Sequence, residues 1–145
     1  MPVTAARAEL PEMQSPARGP FGIYVHVPFC ATRCGYCDFN TYTAGELGGA
    51  NPEGWLAAVR TELQLAAGRL GTAPDVETVF IGGGTPSLPG STGLAAVLDA
   101  VRDSFTLAPG AEATTESNPE STSAEFFADL RGAGFTRISL GMQST

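Results

Sequence analysis

Cys30, Cys34 and Cys37 are the only cysteines in the chain, and all three fall within eight residues. Three residues separate the first pair and two the second, so one short loop can turn every sulfur inward. An odd, tightly grouped set with no secretory signal argues against a disulfide framework and for a metal site. A 4Fe–4S cube normally takes four thiolates, one per iron. Three thiolates leave one iron open, where a second molecule can bind and exchange electrons with the cluster. The competing metal reading is a structural zinc module in which His26 joins the three cysteines, although zinc ligands usually come as two separated pairs. Three unrelated buried thiols would be scattered along the chain instead.

Other segments carry polar groups that could serve a ligand. Gly82-Gly83-Gly84-Thr85-Pro86-Ser87 is not a P-loop, because it lacks the Gly-Lys-Ser/Thr ending that grips phosphate. Consecutive glycines still let a ligand approach bare backbone closely. Glu116, beside Asn118-Pro119, could accept hydrogen bonds from ribose hydroxyls, and Gln143 offers both a donor and an acceptor. Taken singly, a surface glutamate is more often just solvated. His26 reads as a packed, hydrogen-bonded core histidine, and Arg33 as a solvent-facing side chain of the cysteine loop.

The elements that must position these groups follow from periodicity and punctuation. Residues 21–27 are β-rich and stop at Pro28, which leads a first strand into the cysteine loop. After a glycine-rich connector over 45–50, Asn51-Pro52 supplies an N-cap and a first-turn proline. Trp55, Leu56, Val59, Leu63, Ala66, Ala67 and Leu70 then follow at helical spacing, closed by Gly71. Residues 76–81 read as a buried parallel strand halted by three glycines. Leu94, Val97, Leu98, Val101 and Phe105 mark a second helix, and 112–116 a polar third strand. Thr122-x-x-Glu125 reads as a capping box opening a third helix that Gly132 and Gly134 end, before a fourth strand over 135–140. The order β-α-β-α-β-α-β implies α/β architecture with parallel strands and right-handed crossovers. The cysteine loop, residues 82–87, residues 116–119 and residues 141–144 each follow a strand. The carboxyl ends of parallel strands form the ligand face, so these four loops converge on one rim.

At 145 residues and 43% hydrophobic content, the chain has the size and apolar share of a single domain. Its net charge of −7, with eight arginines and no lysine, disfavours nucleic acid as a partner. No apolar run reaches the roughly 18 residues of a membrane span. Residues 1–19 read as a mobile extension without the apolar core of a signal peptide, which suggests a cytoplasmic protein. Residues 20–145 read as the first, truncated part of a larger core domain, because a closed (β/α)8 barrel takes about 250 residues.

The spacing Cys-x3-Cys-x2-Cys, with the aromatic Tyr36 before the last cysteine, resembles the signature loop of the radical S-adenosylmethionine (radical SAM) superfamily. That resemblance implies a partial (β/α) barrel in which Cys30, Cys34 and Cys37 bind a 4Fe–4S cluster. The methionine end of SAM then chelates the open iron, and reduction of the cluster yields a 5′-deoxyadenosyl radical. The Gly-Gly-Gly-Thr-Pro run is similar to the element that holds the amino and carboxylate ends of SAM in that superfamily.

Four motifs in order resemble the oxygen-independent coproporphyrinogen III oxidase family. They are Tyr24-x-His-x-Pro-Phe-Cys, Gly-Gly-Gly-Thr-Pro, Glu-Ser-Asn-Pro and Arg137-Ile-Ser-Leu-Gly-Met-Gln-Ser. By motif position, Tyr24, Tyr36, Gly83, Gly84, Thr85, Glu116 and Gln143 would contact SAM. The oxidases resemble one another in having a further cysteine two residues after the third, where this chain has Phe39. Phe39-Asn40 resembles instead the haem-chaperone (HemW) branch, which implies binding and delivery of haem rather than decarboxylation of porphyrinogen propionates. The resemblance implies haem or a porphyrinogen, a reductant protein such as a flavodoxin and haem-acceptor apoproteins as partners, and it admits a homodimer. The haem contact credited to that branch falls beyond residue 145.

Overall fold

The computed structural model describes residues 19–32, 34, 35, 37, 40–43, 46, 48, 49 and 51–142. Four strands, β1 (Gly22–Val27), β2 (Val76–Gly83), β3 (Leu107–Ser117) and β4 (Arg137–Leu140), form one sheet in the order β1-β2-β3-β4. All three pairings are parallel. Helices α1 (Pro52–Leu70), α2 (Gly90–Ser104) and α3 (Ala124–Ala133) connect them. This is the α/β order that the sequence implies, and with it the described residues of the four loops stand at one end of the sheet.

Alternation along each strand divides the sheet into two unlike faces. Val25 and Val27, Val79 and Ile81, and Ala113 and Thr115 are buried on one face, in the core shared with Leu63, Leu94, Val97, Leu98, Val101 and Leu130 of the helices. The opposite face carries Tyr24, His26, Thr78, Phe80, Glu112 and Glu116, which are exposed or half-buried. The polarity of β3 is therefore the chemistry of this open face, not a weakness of the strand.

Helix ends follow their capping chemistry. The Asn51 side chain accepts from the Gly54 amide at 2.8 Å, and Pro52 stands where no amide hydrogen is needed. Gly71 ends α1, its amide bonded to Ala67 O at 3.1 Å. At α3 the structure corrects the expectation. The cap is Ser123, whose hydroxyl accepts from the Phe126 amide at 3.1 Å, while Thr122 donates to Pro119 O in a short 3-10 turn, Pro119–Ser121. Glu125 thus lies one position too early to close a capping box. Gly132 lies inside α3, and only Gly134, at φ 106°, terminates it. The Arg102 guanidinium of α2 covers that end by donating to Ala133 O at 3.0 Å.

β3 starts five residues earlier than the polar run alone indicates. Between Val76↔Leu107 and Thr78↔Glu112, β2 advances two residues while β3 advances five, so the ladder is bulged there. Pro109 and the left-handed Gly110, at φ 75°, lie inside that irregularity. The 1–19 extension, apart from residue 19, falls outside the described residues.

Candidate functional site: the cysteine loop and the strand ends

β1 runs directly into the cysteine loop, and main-chain bonds close the loop at its base. The Tyr42 amide donates to Pro28 O at 2.7 Å and the Cys30 amide to Tyr42 O at 3.0 Å, pairing Phe29 with Tyr42 in an isolated parallel bridge. Within the loop the Cys37 amide donates to Cys34 O at 3.0 Å, a turn that brings these two residues together. Trp55 supports the loop from α1. Its indole N–H donates to His26 O at 3.2 Å, and its ring meets Phe29 edge-on at 6.1 Å.

His26 ties the strand to the far end of the loop. Its Nε2 bonds Asn40 O at 2.8 Å, which requires a proton on Nε2 and leaves Nδ1 to accept from the Tyr24 hydroxyl at 2.9 Å. Both ring nitrogens are thus engaged, and His26 cannot join the cysteines in a zinc set without breaking one of these bonds. It is half-buried on the open face rather than sunk in the core.

Neighbouring protein accounts for all three glycines at the end of β2. A Cβ on Gly82 would lie 2.7 Å from the Phe80 ring and 2.9 Å from Glu116 Oε2. On Gly83, at φ 123°, it would lie 2.5 Å from Val27 O and 2.9 Å from the His26 ring. On Gly84 it would overlap Phe29 O and lie 2.7 Å from Cys30 Sγ. The glycines therefore let the cysteine loop and the second strand end close on each other. The same packing uses up the amides. Gly83 donates to Glu116 Oε2 at 3.2 Å, Gly84 to Val27 O at 2.8 Å and Thr85 to Phe29 O at 2.7 Å. A carboxylate on a bound ligand would need its donor from elsewhere, whereas an ammonium group has no such requirement.

Glu116, near the end of β3, stands opposite Ser139 of β4. Its bond to Gly83 clamps the second and third loops together. Partial burial, and secondly the Glu116 carboxylate, raise the Tyr24 phenol above its usual value of 10.0, which favours the protonated form that donates to His26. The third loop is braced by a hydroxyl relay. Ser121 donates to Asn118 O at 2.9 Å and so accepts from Ser87 at 2.7 Å, joining the glycine loop to the turn after β3.

These loops surround one cavity of about 560 Å³, within the size range of small-molecule sites. Cys30, Cys34, Cys37, Gly83, Gly84, Thr85 and Glu116, seven residues singled out in the sequence, all line it. Tyr24 lies lower on the open face, joined to the site through His26. Tyr36, Gln143, Phe39 and Arg33 fall outside the described residues. Asn118, Glu120 and Ser139 also line the cavity. Ser139 could have been found from the period-2 alternation of β4, but Glu120 has no local signal. Among the described residues no group of three or more His, Cys, Asp or Glu side chains stands close enough to hold a metal ion. The three thiols instead line the wall of a larger space. Soft sulfur donors on one short loop, a carboxylate opposite and a close-packed backbone suit an iron–sulfur cluster with a polar organic molecule beside it.

Comparison with known proteins follows the same lines. The family model described as the radical SAM superfamily matches residues 24–145. Heme chaperone HemW of Mycobacterium tuberculosis (strain ATCC 25618 / H37Rv) is 63% identical over 139 residues, covering 96% of this chain and 35% of that protein. Heme chaperone HemW of Escherichia coli (strain K12) is 40% identical over 130 residues, covering 86% of this chain and 32% of that protein. Among solved structures, coproporphyrinogen III oxidase (HemN) from Escherichia coli, described as a radical SAM enzyme, superposes with a TM-score of 0.75 at 27% identity. That match covers 86% of this chain and 28% of the oxidase. The chain thus spans about a third of the length of the curated relatives it matches. No helix among the described residues is long and apolar enough to cross a membrane.

Proposed function

The chain belongs to the radical SAM superfamily, and from that premise we propose that it is the cluster- and SAM-binding part of a haem chaperone. One observation carries the reading: the three cysteines, the glycine loop and Glu116 come from three different strand ends to line a single cavity. Cys30, Cys34 and Cys37 would hold the 4Fe–4S cluster, which when bound supplies one-electron chemistry to SAM. Gly83, Gly84, Thr85 and Glu116 line the place for SAM, with Tyr24, Tyr36 and Gln143 assigned to it by motif position. The protein's own part is positional. The Phe29–Tyr42 bridge and the His26–Asn40 bond fix the loop, the Gly84 and Thr85 amides hold the glycine loop against it, and Glu116 ties the glycine loop to the end of β3. Residues 20–145 would form the first part of a partial barrel.

The relatives named heme chaperone, at 63% and 40% identity, support haem as cargo. A reductant such as a flavodoxin would supply the electron, and acceptor apoproteins would take the haem. The second reading, coproporphyrinogen III oxidation, is favoured by the structural likeness to HemN. Phe39, where the oxidases carry a further cysteine, weighs against it. The full-length protein, anaerobic with an intact cluster and reductant, decides between them. It is expected to bind haem and pass it to an acceptor apoprotein. Conversion of coproporphyrinogen III to protoporphyrinogen IX would overturn the chaperone reading.

A further inference from the structure

Beside the last cysteine of the loop stands a hydroxyl that neither the cysteine spacing nor the cavity wall brings forward. Thr41 follows Cys37 by four residues, and its Oγ1 lies 3.8 Å from Cys37 Sγ, within reach of a hydrogen bond to sulfur. The residue is 2% exposed, so protein rather than solvent sets its place. The main chain holds it from both sides. Asn40 O takes the bond from His26 Nε2 at 2.8 Å, and Tyr42 makes main-chain bonds to Pro28 O and to the Cys30 amide. A β-branched side chain on so fixed a backbone has few rotamers, which keeps the hydroxyl beside the sulfur.

A buried threonine can serve packing alone, but the atom that this one meets argues for more. Between a free thiol and a hydroxyl either group can donate. A sulfur bound to iron has lost its proton and can only accept, so ligation settles the direction and makes Thr41 the donor. Hydrogen bonds to the ligand sulfurs help to set the reduction potential of an iron–sulfur cluster, together with net charge and exposure. Reduction adds one negative charge, part of which falls on the sulfurs, and a donor stabilises that state more than the oxidised one. The carboxylates nearby act in the opposite sense. Glu116 and Glu120 both line the cavity, and negative charge at short range disfavours the added electron. A buried donor on a ligand sulfur offsets part of that penalty.

Building on the reading of Cys30, Cys34 and Cys37 as ligands of a 4Fe–4S cluster, we propose that Thr41 is a positioning residue that acts through Cys37. Its hydroxyl donates to Cys37 Sγ and makes the cluster easier to reduce. The electron comes from the reductant protein, and the proton stays on Thr41.

The test is a redox titration of the full-length, anaerobically reconstituted protein without SAM, followed by electron paramagnetic resonance, with iron content measured on the same samples. Thr41→Ser keeps the donor, Thr41→Val keeps the shape without it, and the smaller Thr41→Ala guards against a packing defect in the valine protein. Thr41→Val and Thr41→Ala are expected to disfavour reduction about ten-fold, a fall of about 59 mV for a one-electron couple, at unchanged iron content. Thr41→Ser is expected to stay near the wild-type potential. An unchanged potential in Thr41→Val, or in Thr41→Ala should the valine protein hold no cluster, would refute the role and leave the cluster reading intact. A shift in Thr41→Ser as large as in Thr41→Val would do the same, because the effect would then track packing and not the hydroxyl. Loss of the cluster from both Thr41→Val and Thr41→Ala would make Thr41 a packing residue of the loop and overturn the proposal. Wild-type protein that takes up no iron would overturn the cluster reading, and this inference with it.

Discussion

Replacing Gly84 with alanine tests the contact between the glycine loop and the cysteine loop. Gly84 has ordinary backbone angles, so the substitution introduces no left-handed strain, and only space is at issue. The added Cβ would overlap Phe29 O and stand 2.7 Å from Cys30 Sγ. One of these neighbours is main chain, held by the Thr85 amide at 2.7 Å, so it cannot yield without loss of that bond. The other is the first cysteine of the loop. Overpacking of this kind costs about 1–3 kcal/mol, or a fall in Tm on the order of 2–10 °C for a chain of this size. Relief of the clash would push Cys30 away from the cavity, so iron incorporation should fall with stability. Gly132→Ala is the matched control, because it lies inside α3 with nothing within 4 Å of a new Cβ. It should be neutral or stabilising by up to about 1 kcal/mol, with unchanged iron. The assay is thermal unfolding of both variants together with iron content after anaerobic reconstitution. A Gly84→Ala protein as stable and as iron-replete as Gly132→Ala would refute the reasoning.

Three further outcomes follow from named contacts. Ser123→Ala should destabilise by about 1 kcal/mol through loss of the α3 cap, whereas Glu125→Ala should stay within about 0.5 kcal/mol; chemical denaturation distinguishes these from a true capping box, in which both would matter. In ultraviolet difference titration, assigned with Tyr24→Phe, the Tyr24 phenol should ionise above its ordinary value. Glu116→Gln should reduce that shift without abolishing it, because desolvation is its larger cause. The sign follows from linkage: with the folded-state pKa raised, the stability held below the unfolded value is lost as pH rises from 10.0 through the folded pKa. An unshifted Tyr24 would count against its placement. Arg102→Ala should destabilise α3 measurably by uncovering Ala133 O, and an unchanged unfolding midpoint would contradict that contact.

The fold was legible where one local signal fixed one backbone state. Asn51-Pro52 and Gly71 bracket α1, and the apolar run before the three glycines marks β2. The start of β3 was not legible, because its open face is polar and its ladder is bulged around Pro109 and Gly110. Local spacing also misassigned the α3 cap. Thr122 and Glu125 fit the capping pattern, but the turn at Pro119–Ser121 binds Thr122 and passes the cap to Ser123. At the site, the cysteines, glycines and Glu116 could be read from spacing and from their places after strands. The pairing of Tyr24 with Phe80, of Phe80 with Thr114 and of Thr114 with Arg137 could not, since register is set by long-range contacts. Nor could the reason for the glycines, which lies in what faces them across the strands.

The most direct test of the central claim is electron paramagnetic resonance of the full-length protein, reconstituted anaerobically with iron and sulfide, reduced, and recorded with and without SAM. The account predicts a reducible 4Fe–4S signal that changes on addition of SAM and is lost when Cys30, Cys34 or Cys37 is replaced by alanine. Stoichiometric zinc with no iron uptake, or a cluster signal indifferent to SAM, would contradict it.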